Sequence, residues 1–240
     1  MSEDFTERKY AEVLEVALSR FHFQLIKDDS FEERVAVWRH DIDFSPSRAL
    51  ALAKIEKQLG VKSTYYVQPS SLFYSVFDPK TIDQLRRIHE LGHDLGLHFD
   101  PSIYQEQNLE EAIQIEANVI VALIGCEVAS FSLHNPSTYD ANSFERAVIG
   151  GMKNASYTVF RNRFNYCSDS NGIWRFTPLL EVLRDDAIDS VYVLTHPVWW
   201  QKTDMSPRDK VLRSLDGRTS YLISYYDNLL EQNNRPNIGK

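Results

Sequence analysis

Apolar stretches of strand length alternate with helical patterns along the whole chain, and four of the strand-like stretches end in a carboxylate or an imidazole. Val35-Ala36-Val37-Trp38 runs into Arg39-His40-Asp41-Ile42-Asp43, and His93 to Asp100 carries His98 near its end. Val128 to Leu133 is followed by His134, and Ser190 to Leu194 by Thr195-His196. Strands that alternate with helices favour an α/β fold with a mostly parallel sheet. Helical patterns are expected over about residues 6–20, after Ser45-Pro46, after Asp78-Pro79, from Asn108, after Thr177-Pro178 and after Ser206-Pro207; Ser or Asp before Pro reads as a cap with Pro in the first turn. Ser63–Val67, Tyr157–Phe160 and Phe164–Cys167 are further strand candidates. Six or seven strands suit an open doubly wound sheet or a barrel. No G-x-G-x-x-G or P-loop follows any of them, which argues against nucleotide binding.

Composition narrows the function classes. The 240 residues suit one large domain, and 43% apolar content with charge of both signs suits a folded chain. The net charge is −8 and the pI about 5.4. An acidic balance argues against a nucleic-acid partner, which needs a basic face, and against a polybasic membrane anchor. Cys126 and Cys167 lie in no C-x-x-C pair, so neither a zinc ribbon nor a disulfide scaffold is expected. The N-terminal residues form no signal peptide, and no run of 18 apolar residues could span a membrane, so a cytoplasmic protein is expected.

In a parallel α/β fold the carboxyl ends of the strands share one face, so Asp41, Asp43, His98, His134 and His196 should converge there. Two imidazoles and one carboxylate make a common ligand set for a catalytic zinc, leaving a position for water. A second carboxylate can then take a proton from that water and a further His can protonate a leaving group. Residues two apart in a strand point to the same side, so Asp41 and Asp43 can serve one cavity.

His40-Asp41-Ile42-Asp43, His93-Asp94-Leu95-Gly96-Leu97-His98, Ser132-Leu133-His134-Asn135-Pro136 and Leu194-Thr195-His196, in this order over residues 34–200, resemble the NodB-type polysaccharide deacetylases. The resemblance implies a single domain over 1–240. Its core would be a distorted (β/α) barrel of about seven strands over about 34–200, flanked by an N-terminal helix and a C-terminal helical region. It implies a divalent metal, usually zinc, and removal of an acetyl group from a sugar. Asp41 then resembles the general base, Asp43 the metal-binding Asp, His98 the first metal His and His196 the catalytic acid. Three departures stand out. Ile42 separates the two acids. Position 102, where the family's second metal His belongs, is Ser, so His134 is expected to take its place. The family's Arg-x-Pro is not recognisable, so Arg161 or Arg163 is the candidate cation for Asp41. Asp169 is the candidate for orienting His196. Trp199 and Trp200 suit either stacking on a sugar ring or packing at the barrel rim. An amino sugar or glycan precursor, nucleotide- or lipid-linked, is the expected substrate, and the oligomeric state is open.

Two other readings compete. His89-Glu90-Leu91-Gly92-His93 fits the H-E-x-x-H pattern of zinc metalloproteases, with Glu90 as base, although that pattern needs an unbroken helix and Gly92 reads as a helix end. The third is a metal-free carbohydrate-binding pseudoenzyme on the same barrel, favoured by Ser102.

Overall fold

A computed structural model describes residues 5–104, 108–135 and 141–239. The chain enters through helix α1 (Glu7–Leu18), then β1 (His22–Gln24), β2 (Val35–Ile42), α2 (Pro46–Leu59) and β3 (Thr64–Val67). Next come α3 (Pro79–Glu90), β4 (Asp94–Phe99), α4 (Leu109–Ile124) and β5 (Ser130–Leu133). A short hairpin of β6 (Val148–Ile149) and β7 (Met152–Asn154) leads to α5 (Thr158–Arg161) and β8 (Asn165–Ser168). The chain closes with α6 (Leu179–Arg184), β9 (Val191–Thr195) and the long α7 (Pro207–Gln232). The helix starts follow the capping signals: Ser45 caps α2, Asp78 caps α3, Asn108 caps α4 and Ser206 caps α7. Among the described residues no helix is long and apolar enough to cross a membrane.

One sheet joins all nine strands in the order β6-β7-β5-β4-β3-β2-β9-β8, with β1 on β2. Every pairing is parallel except β6 with β7. Read as a ring, β2, β3, β4, β5, β7, β8 and β9 follow chain order, as in a (β/α) barrel. The seam lies between β7 and β8, which share no ladder among the described residues. Contacts across the interior show that the sheet is curled. Ala155, just past β7, accepts from the Tyr192 hydroxyl of β9 at 2.9 Å and from Arg39 Nη1 of β2 at 3.3 Å. Four strand spacings separate β7 from β2, about 19 Å in a flat sheet. Only curvature brings them within side-chain reach. The architecture is therefore the distorted barrel of seven parallel strands expected from the sequence.

The barrel interior is packed by Val35, Val37, Tyr66, Ala155 and Tyr192, with Phe31, Phe160 and Phe164 closing its lower part. Gly96 is required here, because a Cβ would collide with the Tyr66 ring and come within 2.9 Å of the Ser130 carbonyl oxygen. Helices α1, α2 and α6 cover one outer flank of the sheet and α3 and α4 the other.

Two local expectations are corrected. Tyr157–Phe160 is not a strand: the segment borders the unpaired seam and coils into α5, and Phe160 turns into the interior against Tyr192 at 5.5 Å. The hairpin of β6 and β7 was not anticipated, yet Gly150-Gly151, with φ of 59° and 79°, has the backbone a tight hairpin turn demands.

The outer face of β2 meets a buried anion. Glu56 of α2 accepts from Ser63 Oγ at 2.6 Å, from Tyr65 at 2.8 Å and from the Tyr10 hydroxyl, and lies 2.7 Å from His40 Nε2. His93 stands 3.4 Å from the same carboxylate. Burial pushes this carboxyl up, but His40 and the other partners outweigh it and hold it at about 2, against an ordinary 4.5. A carboxyl depressed in the fold stabilises it fully above its free value, and that contribution is lost as pH falls from 4.5 towards 2. Glu56→Gln should therefore cost roughly 3–5 kcal/mol in urea unfolding at pH 7, and its deficit against the parent should shrink on acidification below about pH 4.

Candidate metal centre

Inward-facing residues of β2 recur at every second position, so Arg39, Asp41 and Asp43 project towards the carboxyl end of the barrel from one strand. His98 comes from β4, and Ser132 stands beside it as its register partner on β5. His134 follows β5, its N–H bonded to the Phe99 carbonyl at 2.8 Å, and His196 follows β9. Strands far apart in sequence thus deliver six titratable groups to one place.

Three ligand atoms converge. His98 Nε2 lies 3.1 Å from Asp43 Oδ1, His134 Nδ1 lies 3.2 Å from His98 Nε2, and His134 Nδ1 lies 3.8 Å from Asp43 Oδ1. Among the described residues Asp43, His98 and His134 form the one group of His, Cys, Asp and Glu able to hold a metal ion. A tetrahedral zinc with ligands at about 2.0–2.2 Å has ligand–ligand edges of about 3.3–3.6 Å, which the three separations bracket. Asp43 Oδ1 is buried and makes no well-formed hydrogen bond. Two ring nitrogens 3.2 Å apart must share a proton or a cation. The side-chain nitrogen of Asn135 lies 2.9 Å from His134 Nε2; a half-turn of that amide presents its oxygen instead, which accepts the Nε2 proton and leaves Nδ1 free for a cation. The residues present therefore fit a divalent ion. Burial pushes Asp43 up, but His98, His196 and His134 together hold its carboxyl at about 2. Burial and the neighbouring His98 lower His134.

Asp41 and His196 flank this triangle. Asp41 Oδ2 is 3.8 Å from His98 Nε2, and His196 Nε2 is 3.8 Å from Asp43 Oδ2. His196 Nδ1 donates to Asp169 Oδ1 at 2.7 Å, the backbone N–H of His196 adds 2.9 and 3.1 Å bonds to the two oxygens, and Trp200 Nε1 donates at 3.0 Å. Burial pulls His196 down, yet Asp169, with Asp43 and Asp41 behind it, more than offsets this and raises the imidazole to about 9.

The remaining sequence candidates fall differently. The cation beside Asp41 is Arg39, whose Nη2 meets Oδ2 at 2.9 Å, and not Arg161 or Arg163. Arg161 lies over the Tyr166 ring at 5.0 Å and Arg163 over Phe31 at 5.8 Å. Arg39 was open to discovery, because the period-two rule that pairs Asp41 with Asp43 extends back to it. Trp200, 1% exposed, is core: it packs edge-on against Phe5 and Tyr10 and so offers no face to a sugar. Trp199 is also buried, 5.9 Å from Phe44. The half-exposed aromatics beside Asp43 are Phe44, which follows it, and Phe73 of the β3–α3 loop, 4.2 Å apart; that loop is tied down by Ser71 Oγ, which donates to the Asp43 carbonyl at 2.8 Å. Ser102 turns away and bonds Asp100 at 2.6 Å. The H-E-x-x-H reading fails. His89 and Glu90 are exposed at the end of α3, and Gly92 at φ 97° breaks the helix. Both nitrogens of His93 are engaged, by Ser63 at 3.2 Å and by the Ala53 carbonyl at 3.0 Å.

No family model matches the chain, and no curated protein matches it in sequence. Twenty solved chains match it in structure. They include carbohydrate esterase family 4 proteins and deacetylases. One is a mutant of a Bacillus anthracis CE4 family pseudoenzyme with restored enzymatic activity, at 16% identity and TM-score 0.44 over 78% of this chain and 62% of that one. The chain thus spans under two thirds of that protein's length. A second is the Streptococcus pyogenes deacetylase PplD in complex with acetate, at 11% identity and TM-score 0.45, covering 86% and 85%. A third is the chitin deacetylase of Colletotrichum lindemuthianum, at 14% identity and TM-score 0.42, covering 76% and 81%. The similarity is distant, and the chemistry of the site rests on its own side chains.

If Asp169 holds the proton on His196, Asp169→Asn should drop the His196 pKa in the metal-free protein from about 9 towards the ordinary 6.5. A histidine NMR titration of the two proteins measures this directly.

Proposed function

We propose that this protein is a metal-dependent hydrolase that removes an acetyl or similar acyl group from an amino sugar or glycan precursor. The observation that carries the reading is the Asp43–His98–His134 triangle with a carboxylate on one side and a protonated imidazole on the other. The donor set, two imidazoles and one carboxylate, favours zinc. Bound there, the ion supplies Lewis acidity to the acyl carbonyl and to the attacking water.

The chain's own groups divide the proton work. Asp41, held by Arg39, accepts the proton of the attacking water. His196 carries its proton on the nitrogen that faces the centre, because Nδ1 is committed to Asp169, and releases it to the departing amine or alkoxide. Asp169 offsets the charge of the imidazolium and fixes the ring. Phe44 and Phe73 offer an apolar ledge beside Asp43 for the face of a sugar ring. A cytoplasmic setting, with a nucleotide- or lipid-linked precursor as substrate, belongs to the same proposal.

Metal content and acetate release test it. Zinc should bind one to one and be lost in Asp43→Ala, His98→Ala and His134→Ala, while persisting in His89→Ala and Glu90→Gln. Asp41→Asn should keep the metal and lower turnover on acetylated amino sugars by about 10²–10⁴-fold. A purified protein that binds no metal but retains glycans would instead favour the metal-free binding reading.

A further inference from the structure

Ser132 has no part in the scheme above, yet its hydroxyl stands between His98 and Asp41. It is fully buried on β5. Its Oγ lies 2.7 Å from His98 Nδ1 and 3.4 Å from Asp41 Oδ1. A hydroxyl carries a single proton, so the direction of one bond sets the direction of the other.

For His98 to offer Nε2 to a cation, that nitrogen must keep its lone pair and the ring proton must sit on Nδ1. Nδ1–H then donates to Ser132 Oγ, and the hydroxyl proton is left for Asp41 Oδ1 at 3.4 Å. Asp41 Oδ2 already accepts from Arg39. Both carboxylate oxygens of Asp41 are thereby pinned. The opposite tautomer, with the proton on Nε2, reverses the chain: Ser132 donates to Nδ1, and Asp41 Oδ1 loses its donor.

Resting on the metal reading, we infer that Ser132 is a positioning residue that couples the two halves of the site. Its hydroxyl selects the cation-binding tautomer of His98 and, in the same hydrogen-bond arrangement, orients Asp41. Cation binding and alignment of the proton acceptor are then linked, and each favours the other.

The test is zinc affinity, measured by chelator competition on the purified full chain and independent of any substrate. Ser132→Ala should weaken zinc binding by roughly 10–100-fold, the range for loss of a group that orients a metal-binding histidine. Ser132→Thr, which keeps the hydroxyl, should restore most of it. Ser130→Ala removes the neighbouring buried hydroxyl, which bonds Tyr66 at 2.9 Å, and should leave zinc affinity unchanged. Nitrogen-15 NMR of the zinc-loaded parent should show His98 protonated on Nδ1, a readout that needs no variant to fold. Zinc affinity in Ser132→Ala equal to the parent's, or His98 bound through Nδ1, overturns the coupling while leaving the metal reading intact. A parent protein that holds no zinc overturns the metal reading and the coupling with it.

Discussion

The fold is organised around a carboxylate sealed from water. Glu56 gathers Tyr10 from α1, His40 from β2, Tyr65 from β3, and Ser63 and His93 from the turns that enter β3 and β4. An isolated buried charge is strongly destabilising, but one that fills its acceptor sites with donors from several elements locks those elements together. His40 extends the lock, since its Nδ1 meets Thr195 Oγ1 of β9 at 2.6 Å. Strands β3, β2 and β9 are adjacent in the sheet, so one anion on their outer face fixes their relative heights.

That outer lock sets the inner chemistry, because alternate residues of a strand face opposite sides. His40 is bound outside, so Arg39 and Asp41 are committed inside. Thr195 is bound outside, so His196, the next residue, turns over the barrel end towards Asp43. The end of the barrel that carries Asp41, Asp43 and His196 thereby inherits its registration from a hydrogen-bond network on the outer side of the sheet.

Much of this was legible in the chain. Strand–helix alternation and residues placed at strand ends depend on local pattern, and local pattern survives folding. The convergence of Asp43, His98 and His134 follows from topology, since parallel strands share one carboxyl end. Tertiary facts were not legible. Glu56, within Lys54-Ile55-Glu56-Lys57, reads as an ordinary solvated helix charge, and only the arrival of α1 and β3 buries it. Trp199 and Trp200 sit beside His196 in sequence, but α1 brings Phe5 and Tyr10 over Trp200 and turns it into core. Arg39 is hidden for another reason: a charged residue after an apolar run reads as a strand end, whereas β2 continues through Ile42 because Arg39, His40 and Asp41 each find a partner.

Charge balance at the mouth of the barrel gives the last constraint. Asp41, Asp43 and Asp169 bring three carboxylates into a largely buried site. Arg39 neutralises one and protonated His196 another. Asp43 is left with two imidazoles that are worth most to it as neutral ligands. An uncompensated carboxylate at that depth is expensive unless a cation shares it. Protonating His98 or His134 would meet the need with one positive charge, its proton shared between ring nitrogens 3.2 Å apart. A divalent ion meets it with two charges and turns both imidazole lone pairs into bonds. The same arrangement leaves Asp41 beside His98 and His196 beside Asp43, so that under the proposed function one group next to the ligand triangle can accept a proton and another can release one.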